Sequence, residues 1–253
     1  MLVSDLMSSP VYGCQASDTV SYARNMMFKH HISRVLIMED QRIEGIVTKK
    51  DIGYRLRGRD PSWRRRPLDS AALSTVMVSD VVSISPDSNL HDALSLMVMR
   101  HISGFPVVDQ GMVLGVLTKS DCMHAPLITG YDRPVSGVMR DAVLVTGEHS
   151  LDHVIDLIRD KSGIVVVTGD HGEPAGVISE SDLAFHEQTS DNAVQIRASD
   201  VMKSPVQSLP FTARTGDVVR MMHEKKISSV VITGDQGIKG IITRDDIIRE
   251  VVQ

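Results

Sequence analysis

The chain has 253 residues, of which 42% are hydrophobic and 23% charged, and its formal net charge is −5. This composition is typical of a globular protein and excludes a disordered chain, and the negative charge argues against nucleic-acid binding through an overall cationic field. No apolar run approaches the ~20 residues of a transmembrane helix, and no basic region followed by an apolar stretch opens the sequence, so we expect a cytoplasmic protein without a membrane partner.

Four similar segments follow one another along the chain, and each opens with a short phrase that ends in methionine. In the first and the last segment a proline follows three residues later, at Pro10 and Pro205, and should end any helical turn there. The four opening phrases are residues 3–7, 74–77, 135–139 and 198–202.

An amphipathic helix is predicted after each opening phrase, because apolar residues recur there at helical spacing. In the first segment these residues are Val20, Ala23, Met26 and Met27. A hydroxyl or amide side chain stands near the start of each pattern and is the predicted N-cap. The four predicted caps are Thr19, Asn89, Ser150 and Thr215.

Two short strands joined by a turn are predicted next. The second strand leads into a motif of glycine, two aliphatic residues, a hydroxyl, two variable positions and an aspartate, after which another helix begins. Each segment is therefore a β-α-β-β-α unit of an α+β protein, and four units predict two pairs. The four copies of the motif are residues 45–51, 115–121, 176–182 and 240–246.

The hydroxyl and the carboxylate of this motif, three residues apart between a strand and a helix, suit a nucleoside. A helix N-terminus offers unsatisfied N–H groups and partial positive charge to a phosphate or a ribose. A Ser or Thr donor beside an Asp acceptor can bind a ribose diol, as acidic residues do in dinucleotide folds. The alternative is that both side chains only cap the helix, so the motif alone indicates four potential sites.

In content and order, these motifs resemble the cystathionine-β-synthase (CBS) domains, which occur in tandem pairs called Bateman modules. The resemblance extends over nearly the whole chain and implies four CBS repeats that form two Bateman modules packed as a disc. Four repeats in one chain are similar to the gamma subunit of AMP-activated protein kinase and to free-standing prokaryotic CBS proteins. The expected CBS repeats are 1–56, 74–125, 135–187 and 198–253, separated by an arginine-rich linker at 57–73 and by linkers at 126–134 and 188–197.

The resemblance implies an adenosyl ligand, AMP, ADP, ATP or S-adenosylmethionine, bound in clefts between paired repeats, and no required cofactor. In that family the motif aspartate holds the ribose hydroxyls, the motif hydroxyl contacts ribose or phosphate, and the segment before the hairpin surrounds the base. Carried over to this sequence, the nucleotide-binding residues are Ser33, Arg34, Thr48, Lys50, Asp51, Ser103, Thr118, Asp121, Ser162, Ser179, Asp182, Ser228, Thr243 and Asp246.

The four expected sites are not equivalent. Arg34 and Lys50 align with phosphate ligands of the gamma subunits, which favours the site of Asp51. Glu180 in the third motif and Asp245 in the fourth would repel a phosphate unless they point away. The third and fourth sites are therefore expected to be the weaker ones.

A nucleophile elbow, a phosphate-binding loop and paired metal ligands are all missing from the sequence. We therefore expect a non-enzymatic sensor that signals to an unknown protein partner by a population shift. His149 and His153 are four residues apart but lack a third ligand, so they are expected to be surface histidines. Cys14 and Cys122 are expected to be packing residues.

Two other hypotheses stay open at this point. One is a sensor of S-adenosylmethionine. The other is an interaction or nucleic-acid-binding protein that uses the arginine-rich loop 59–66, although a single aromatic residue there favours a solvated linker. Pairing of two chains into a homodimer is also left open.

Overall fold

The computed structural model describes residues 1–40, 42–55, 70–183 and 196–253. The arginine-rich loop 59–66 lies outside the described residues, as does most of the linkers predicted at 57–73 and 188–197. The described chain forms four repeats, each with a small sheet and flanking helices. This confirms the predicted α+β class.

The described part of the first pair of repeats contains the helices and strands below, together with 3₁₀ turns at Val3–Asp5 and Leu73–Thr75. Repeat 1 consists of β1 (Gly13–Cys14), α1 (Val20–Lys29), β2 (Arg34–Glu39), β3 (Arg42–Thr48) and α2 (Lys49–Arg55). Repeat 2 consists of α3 (Leu90–Met99), β4 (Gly104–Asp109), β5 (Met112–Thr118) and the short helices α4 (Lys119–Cys122) and α5 (Pro126–Thr129).

The second pair repeats this order after a 3₁₀ turn at Val135–Gly137. Repeat 3 consists of β6 (Leu144–Thr146), α6 (Leu151–Leu157), a π-helical turn at Ile158–Ser162, β7 (Ile164–Thr168) and β8 (Pro174–Ser179). Repeat 4 consists of α7 (Ala198–Val201), β9 (Ser208–Pro210), α8 (Thr215–Glu224), β10 (Ser229–Gly234), β11 (Gly237–Thr243) and α9 (Arg244–Val252).

In repeats 1, 3 and 4 the sheet joins a parallel first strand to an antiparallel hairpin, in the order β1-β2-β3 in the first repeat. Repeats 1 and 4 have the predicted β-α-β-β-α order. In repeat 2 the first strand is reduced to one bridge between Ile84 and Val107. In repeat 3 the chain after Leu183 lies outside the described residues, so its last helix stays a prediction.

Three of the four predicted helix caps are confirmed. The side chains of Thr19, Asn89 and Ser150 each accept a hydrogen bond from an N–H of the first helical turn. The prediction for Thr215 is wrong, because Thr215 is the first residue of α8 and its buried hydroxyl donates to the carbonyl of Tyr131 at 2.9 Å. The hydroxyl of Thr215 holds the preceding linker instead, because it also accepts the N–H of Arg133 at 2.9 Å.

The opening phrases pack on the paired repeat and not only on their own. Leu73 and Val76, from the opening of repeat 2, lie in the core of repeat 1. Val3, from the opening of repeat 1, lies in the core that contains α3 of repeat 2. The second pair shows the same exchange, with Ala198 and Val201 in the core of repeat 3. A pair of repeats is therefore the structural unit.

Backbone β-bridges connect the exchanged segments, and they join equivalent positions in all four repeats. In each pair, the residue after the opening methionine bridges the residue after the motif glycine of the other repeat. The four bridges are Ser8–Val116, Ile46–Val78, Arg140–Ile241 and Val177–Lys203.

The exchange explains why the motif begins with glycine and the opening phrase ends with methionine. A Cβ added to Gly115 would lie 2.9 Å from Sδ of Met7, and one added to Gly176 would lie 2.7 Å from Sδ of Met202. The other two motif glycines meet the methionine of their paired repeat in the same way. Glycine is required here because the side chain of the partner covers its backbone.

The two pairs meet through helices and ion pairs. Helix α3 of repeat 2 packs on α9 of repeat 4, and both contribute to one hydrophobic core. Repeats 1 and 3 meet where Nζ of Lys50 lies 3.0 Å from Oε2 of Glu180. Each repeat thus contacts its pair mate and one repeat of the other pair, which closes a ring of four.

Both cysteines are buried, as predicted. Burial raises the pKa of the Cys14 thiol to about 11 and that of the Cys122 thiol to about 12, and the nearby carboxylates of Asp18 and Asp121 act in the same direction. Since the thiolate is the reactive form, we expect iodoacetamide at about pH 8 to modify the folded chain about a hundredfold more slowly than the chain unfolded in guanidinium. Mass spectrometry of timed samples measures both rates, and equal rates would contradict the burial.

Candidate functional site

The hydroxyl and the aspartate of each motif bind each other at the start of a helix. The N–H and Oγ1 of Thr118 both donate to Oδ2 of Asp121, at 2.8 and 2.6 Å. The same two bonds recur at Asp51, Asp182 and Asp246. All four motifs therefore cap a chain turn through Oδ2 of the aspartate. A ligand must bind mainly to the other carboxylate oxygen, Oδ1.

A cleft of about 320 Å³ lies between the first two repeats. Repeat 1 contributes two walls, the opening segment 8–12 and the segment 31–34 before and at the start of β2. Repeat 2 contributes Val116 and the motif residues Thr118, Ser120 and Asp121. Because the opening phrases are exchanged, a motif from one repeat faces the walls of the other, and the cleft is composite.

This exchange groups the predicted residues differently from the sequence analysis, which placed Arg34 with Asp51. In the structure Ser33 and Arg34 line the cleft of Asp121. The guanidinium of Arg34 crosses to repeat 2, where its NH2 donates to the carbonyl and to Oγ of Ser103 at 3.1 and 3.0 Å. The sequence analysis expected clefts between paired repeats but grouped the residues of one repeat together, whereas here Arg34 of repeat 1 and Asp121 of repeat 2 line the same cleft.

Arg34 is a buried cation, with 8% of its surface exposed. Burial lowers the pKa of Arg34 to about 10, while the carboxylates of Asp121 and Asp51 act in the opposite direction, so the group is charged at neutral pH. Among the residues that the structure describes, its Nε has no hydrogen-bond partner, and the same is true of Nε of Arg244. A buried donor without an acceptor costs about 1–3 kcal/mol, so an acceptor-rich ligand would stabilise this arrangement.

A larger cavity of about 1160 Å³ lies at the centre of the ring and shares the segment 31–34, Thr118 and Ser120 with the cleft. It also includes Ser179 and Asp182 of the third motif. Cations predominate in its walls, which favours anionic groups such as phosphates. The charged lining residues are Arg34, Lys49, Lys119, Lys203, Lys226 and Arg244, against Asp182 and Glu224.

The family model of the CBS domain matches residues 3–57, 73–128, 135–187 and 198–253. The chain belongs to the CBS-domain family. Its two pairs of repeats are Bateman modules, as predicted from the motifs.

Relatives match this CBS protein over different shares of their length. The CBS domain-containing protein YhcV of Bacillus subtilis is 29% identical over 121 residues, which are 47% of this chain and 81% of YhcV. Protein MJ1225 of Methanocaldococcus jannaschii is 25% identical over 199 residues, 69% of this chain and 68% of MJ1225. Inosine-5'-monophosphate dehydrogenase of Thermoplasma acidophilum is 24% identical over 170 residues, but these are only 32% of that enzyme.

The crystal structure of MJ1225, described as a proposed archaeal homologue of gamma-AMPK, matches the whole ring of CBS repeats. The TM-score is 0.84 at 18% sequence identity, and the match covers 99% of both chains. At this identity the likeness shows the shared fold. Within the described residues, no helix is long and apolar enough to cross a membrane.

The variable positions of the CBS motifs join the two modules. Lys50, predicted as a phosphate ligand, is paired with Glu180, and Lys119 is paired with Asp245. NH1 of Arg244 donates to Oγ of Ser120 at 2.6 Å. Glu180 and Asp245, expected to repel a phosphate, are therefore each neutralised by a lysine of the other module.

The remaining predicted residues are placed as follows. Thr48 and Asp51 cap α2, and Thr243 and Asp246 cap α9. Ser228 lines the central cavity. The side chain of Ser162 lies outside the described part of the structure. His149 and His153 stack with ring centroids 5.2 Å apart, and the described ranges contain no group of three or more metal-binding side chains.

Sequence reasoning missed the contribution of the opening segment. Oγ of Ser8 donates to Oδ1 of Asp121 at 2.9 Å, Nζ of Lys203 lies 2.5 Å from Oδ1 of Asp182, and Nε of Arg140 lies 3.3 Å from Oδ2 of Asp246. The signal was present in the alignment of the repeats, since Ser8, Arg140 and Lys203 each follow the opening methionine. Only the exchange within a CBS pair shows which aspartate each of them meets.

Proposed function

We propose that this CBS protein is a non-enzymatic regulatory protein that binds AMP, ADP or ATP in clefts between paired repeats and transmits their occupancy to a protein partner. The observation that carries the proposal is the composite cleft, in which Asp121 and the buried Arg34 face the same space of about 320 Å³. This volume lies within the usual range of small-molecule sites.

The chemistry of the cleft matches the parts of a nucleotide. The carboxylate of Asp121 can accept hydrogen bonds from both ribose hydroxyls, with Ser8 giving way to one of them. Ile32, Val116 and Val11 supply apolar walls for a base. Arg34 supplies a positive charge for the phosphate oxygens, and its Nε–H has no acceptor within the described residues.

These groups bind a nucleotide rather than transform it. Asp121 is committed to the helix cap through Oδ2, and Thr118 is its partner in that cap. Arg34 is held by the carbonyl and hydroxyl of Ser103. Each group is thus held in one hydrogen-bonding role. This arrangement supports binding without chemical conversion, as in a sensor.

A ligand in this cleft would tie two repeats together, because its walls come from both. Arg34 already bridges β2 to Ser103, and the ion pairs Lys50–Glu180 and Lys119–Asp245 connect one module to the other. Binding can therefore bias the arrangement of the modules to the extent that the ligand prefers one arrangement. A partner that contacts both modules would read this bias.

Isothermal titration of the full chain with AMP, ADP, ATP and S-adenosylmethionine tests the proposal. We expect at least one adenine nucleotide to bind with a Kd below about 1 mM, corresponding to about −4 kcal/mol. We also expect S-adenosylmethionine to bind more weakly, since its cationic sulfonium gains nothing from the cationic walls. Binding of none of the four would contradict the proposal, and tighter binding of S-adenosylmethionine would favour the competing sensor function.

A further inference from the structure

The position after the opening methionine differs in charge among the four repeats. It is occupied by Ser8, Val78, Arg140 and Lys203. All four residues form the same backbone bridge to the strand that ends in the motif of the paired repeat. They are therefore structurally equivalent, and we refer to them as the facing residues.

Two facing residues are cations bound to the motif aspartate. Nζ of Lys203 lies 2.5 Å from Oδ1 of Asp182, and Nε of Arg140 lies 3.3 Å from Oδ2 of Asp246. Both aspartates are buried, with 7% and 6% of their surface exposed. Oδ2 of each already accepts the two bonds of its cap. Lys203 occupies Oδ1 of Asp182, the oxygen that the cap leaves to a ligand, whereas Arg140 shares Oδ2 of Asp246 with the cap and adds a positive charge beside that carboxylate.

The other two facing residues are neutral. Oγ of Ser8 donates one hydrogen bond to Oδ1 of Asp121 at 2.9 Å, which is the contact that a ribose hydroxyl would make. Val78, opposite the strand of Asp51, has no side-chain donor at all. A ribose can replace a neutral hydroxyl by a like bond, whereas replacing a cation leaves a buried carboxylate without its counter-charge.

We propose that the facing residue selects which clefts accept a nucleoside. Ser8 and Val78 place no cation on Asp121 and Asp51, which leaves these carboxylates to a ribose, whereas Lys203 and Arg140 act as internal counter-ions of Asp182 and Asp246 in place of a ligand. The first Bateman module is then the sensing module, and the second is a self-liganded module that supports it. This inference rests on the proposed function, because it assigns that function to particular clefts.

The surroundings of Asp182 show that it does not lack space for a ligand. Ser179, Asp182, Ser228 and the segment 205–207 line the central cavity of about 1160 Å³, which also reaches Arg244. Its walls thus include a motif, a base-side serine and a cation, as in the first module. Lys203 on the motif carboxylate is the difference that bears on ribose binding.

Exchanging the facing residues tests the inference by titration of the full chain with AMP. Ser8→Lys should weaken the tight binding at least about tenfold, because a lysine would occupy Oδ1 of Asp121 as Lys203 occupies that of Asp182. Lys203→Ser should add a further binding site or tighten the weak ones about fivefold. This is the effect of no longer breaking one ion pair whose lysine is exposed and whose carboxylate is buried. Lys203→Met, which keeps the length of the side chain without its charge, should act like Lys203→Ser.

Arg220→Ser is the matched control, since Arg220 pairs with Asp217 on the exposed face of α8 and lines neither cavity. It should leave AMP binding unchanged, and thermal unfolding should show that all variants fold. If the wild-type chain binds no AMP, the proposed function itself fails. If it binds AMP, but both Lys203 variants leave the binding unchanged or weaken it as loss of a phosphate ligand would, only the present inference is overturned.

Discussion

Replacing Asp121 by alanine is expected to weaken AMP binding by about 10- to 100-fold. The carboxylate is the acceptor for the ribose hydroxyls in the proposed complex, and hydrogen bonds to a charged group contribute about 1.5–3 kcal/mol. Isothermal titration measures the change in Kd directly. Asp121→Asn should fall between the wild type and Asp121→Ala, because the amide keeps one acceptor oxygen but loses the charge.

Asp217→Ala is the matched control for the loss of a helix cap. Asp217 accepts the N–H of Arg214 at 3.1 Å in the first turn of α8, so it has a capping role without lining either cavity. Both alanine variants should lose about 1 kcal/mol of stability, but only Asp121→Ala should weaken binding. Equal binding losses in the two variants would mean that Asp121 acts through the cap alone.

Replacing Gly104 by alanine is expected to destabilise the fold by about 3 kcal/mol, which would lower the Tm by about 6–12 °C. A Cβ at this position would lie 2.3 Å from NH1 of Arg34 and 2.4 Å from the carbonyl oxygen of Leu117, and the φ angle of +152° disfavours a side chain. Gly104 is the repeat 2 counterpart of Arg34, so the small residue of one repeat accommodates the large residue of the other. Thermal and denaturant unfolding measure the loss.

Two other glycines separate the causes of this effect. At Gly111, φ is +81° but nothing lies within 4 Å of an added Cβ, so Gly111→Ala reports backbone strain alone and should cost about 1 kcal/mol. Gly137→Ala, with open space and no positive φ, should be nearly neutral. Adding Arg34→Ala to Gly104→Ala should restore only part of the stability, because the contact with Leu117 remains. A Gly104→Ala protein as stable as Gly111→Ala would contradict the proposed close packing.

Local structure could be read from the sequence because its causes are local. Thr19, Asn89 and Ser150 are caps because a short oxygen-bearing side chain precedes an apolar helical pattern, and the hairpins follow from short aliphatic runs separated by turns. Thr215 shows the limit of this reasoning. Its hydroxyl is just as suitable for a cap, but a tertiary contact with the carbonyl of Tyr131 determines its position.

The composition of each cleft could not be read in this way. The motif of Asp121 meets the walls of repeat 1 because the opening phrases exchange, and the exchange depends on contacts between residues as distant as Ser8 and Val116. A repeat sequence leaves such pairings ambiguous, since every repeat offers the same surfaces. Arg34 was therefore assigned to the aspartate of its own repeat, although its guanidinium lies against Ser103 of the next.

The packing between repeats also explains the roles of the residues that differ from one repeat to another. Glu180 and Asp245 appeared unfavourable beside a phosphate, yet each is paired with a lysine across the module interface. No role could be assigned to Ser8 or Lys203 from the sequence, yet the side chain of each contacts a motif aspartate. Charges that differ between repeats thus distinguish the modules, whereas the features that the repeats share build the fold.

A crystal structure of the chain grown with AMP would test nucleotide binding between paired repeats most directly. We predict AMP in the cleft of the first module, with its ribose hydroxyls on Asp121, its base between the segments 8–12 and 31–34, and its phosphate within hydrogen-bonding distance of Arg34. AMP bound elsewhere while this cleft holds only solvent, at a concentration that saturates the titration, would contradict the proposed site.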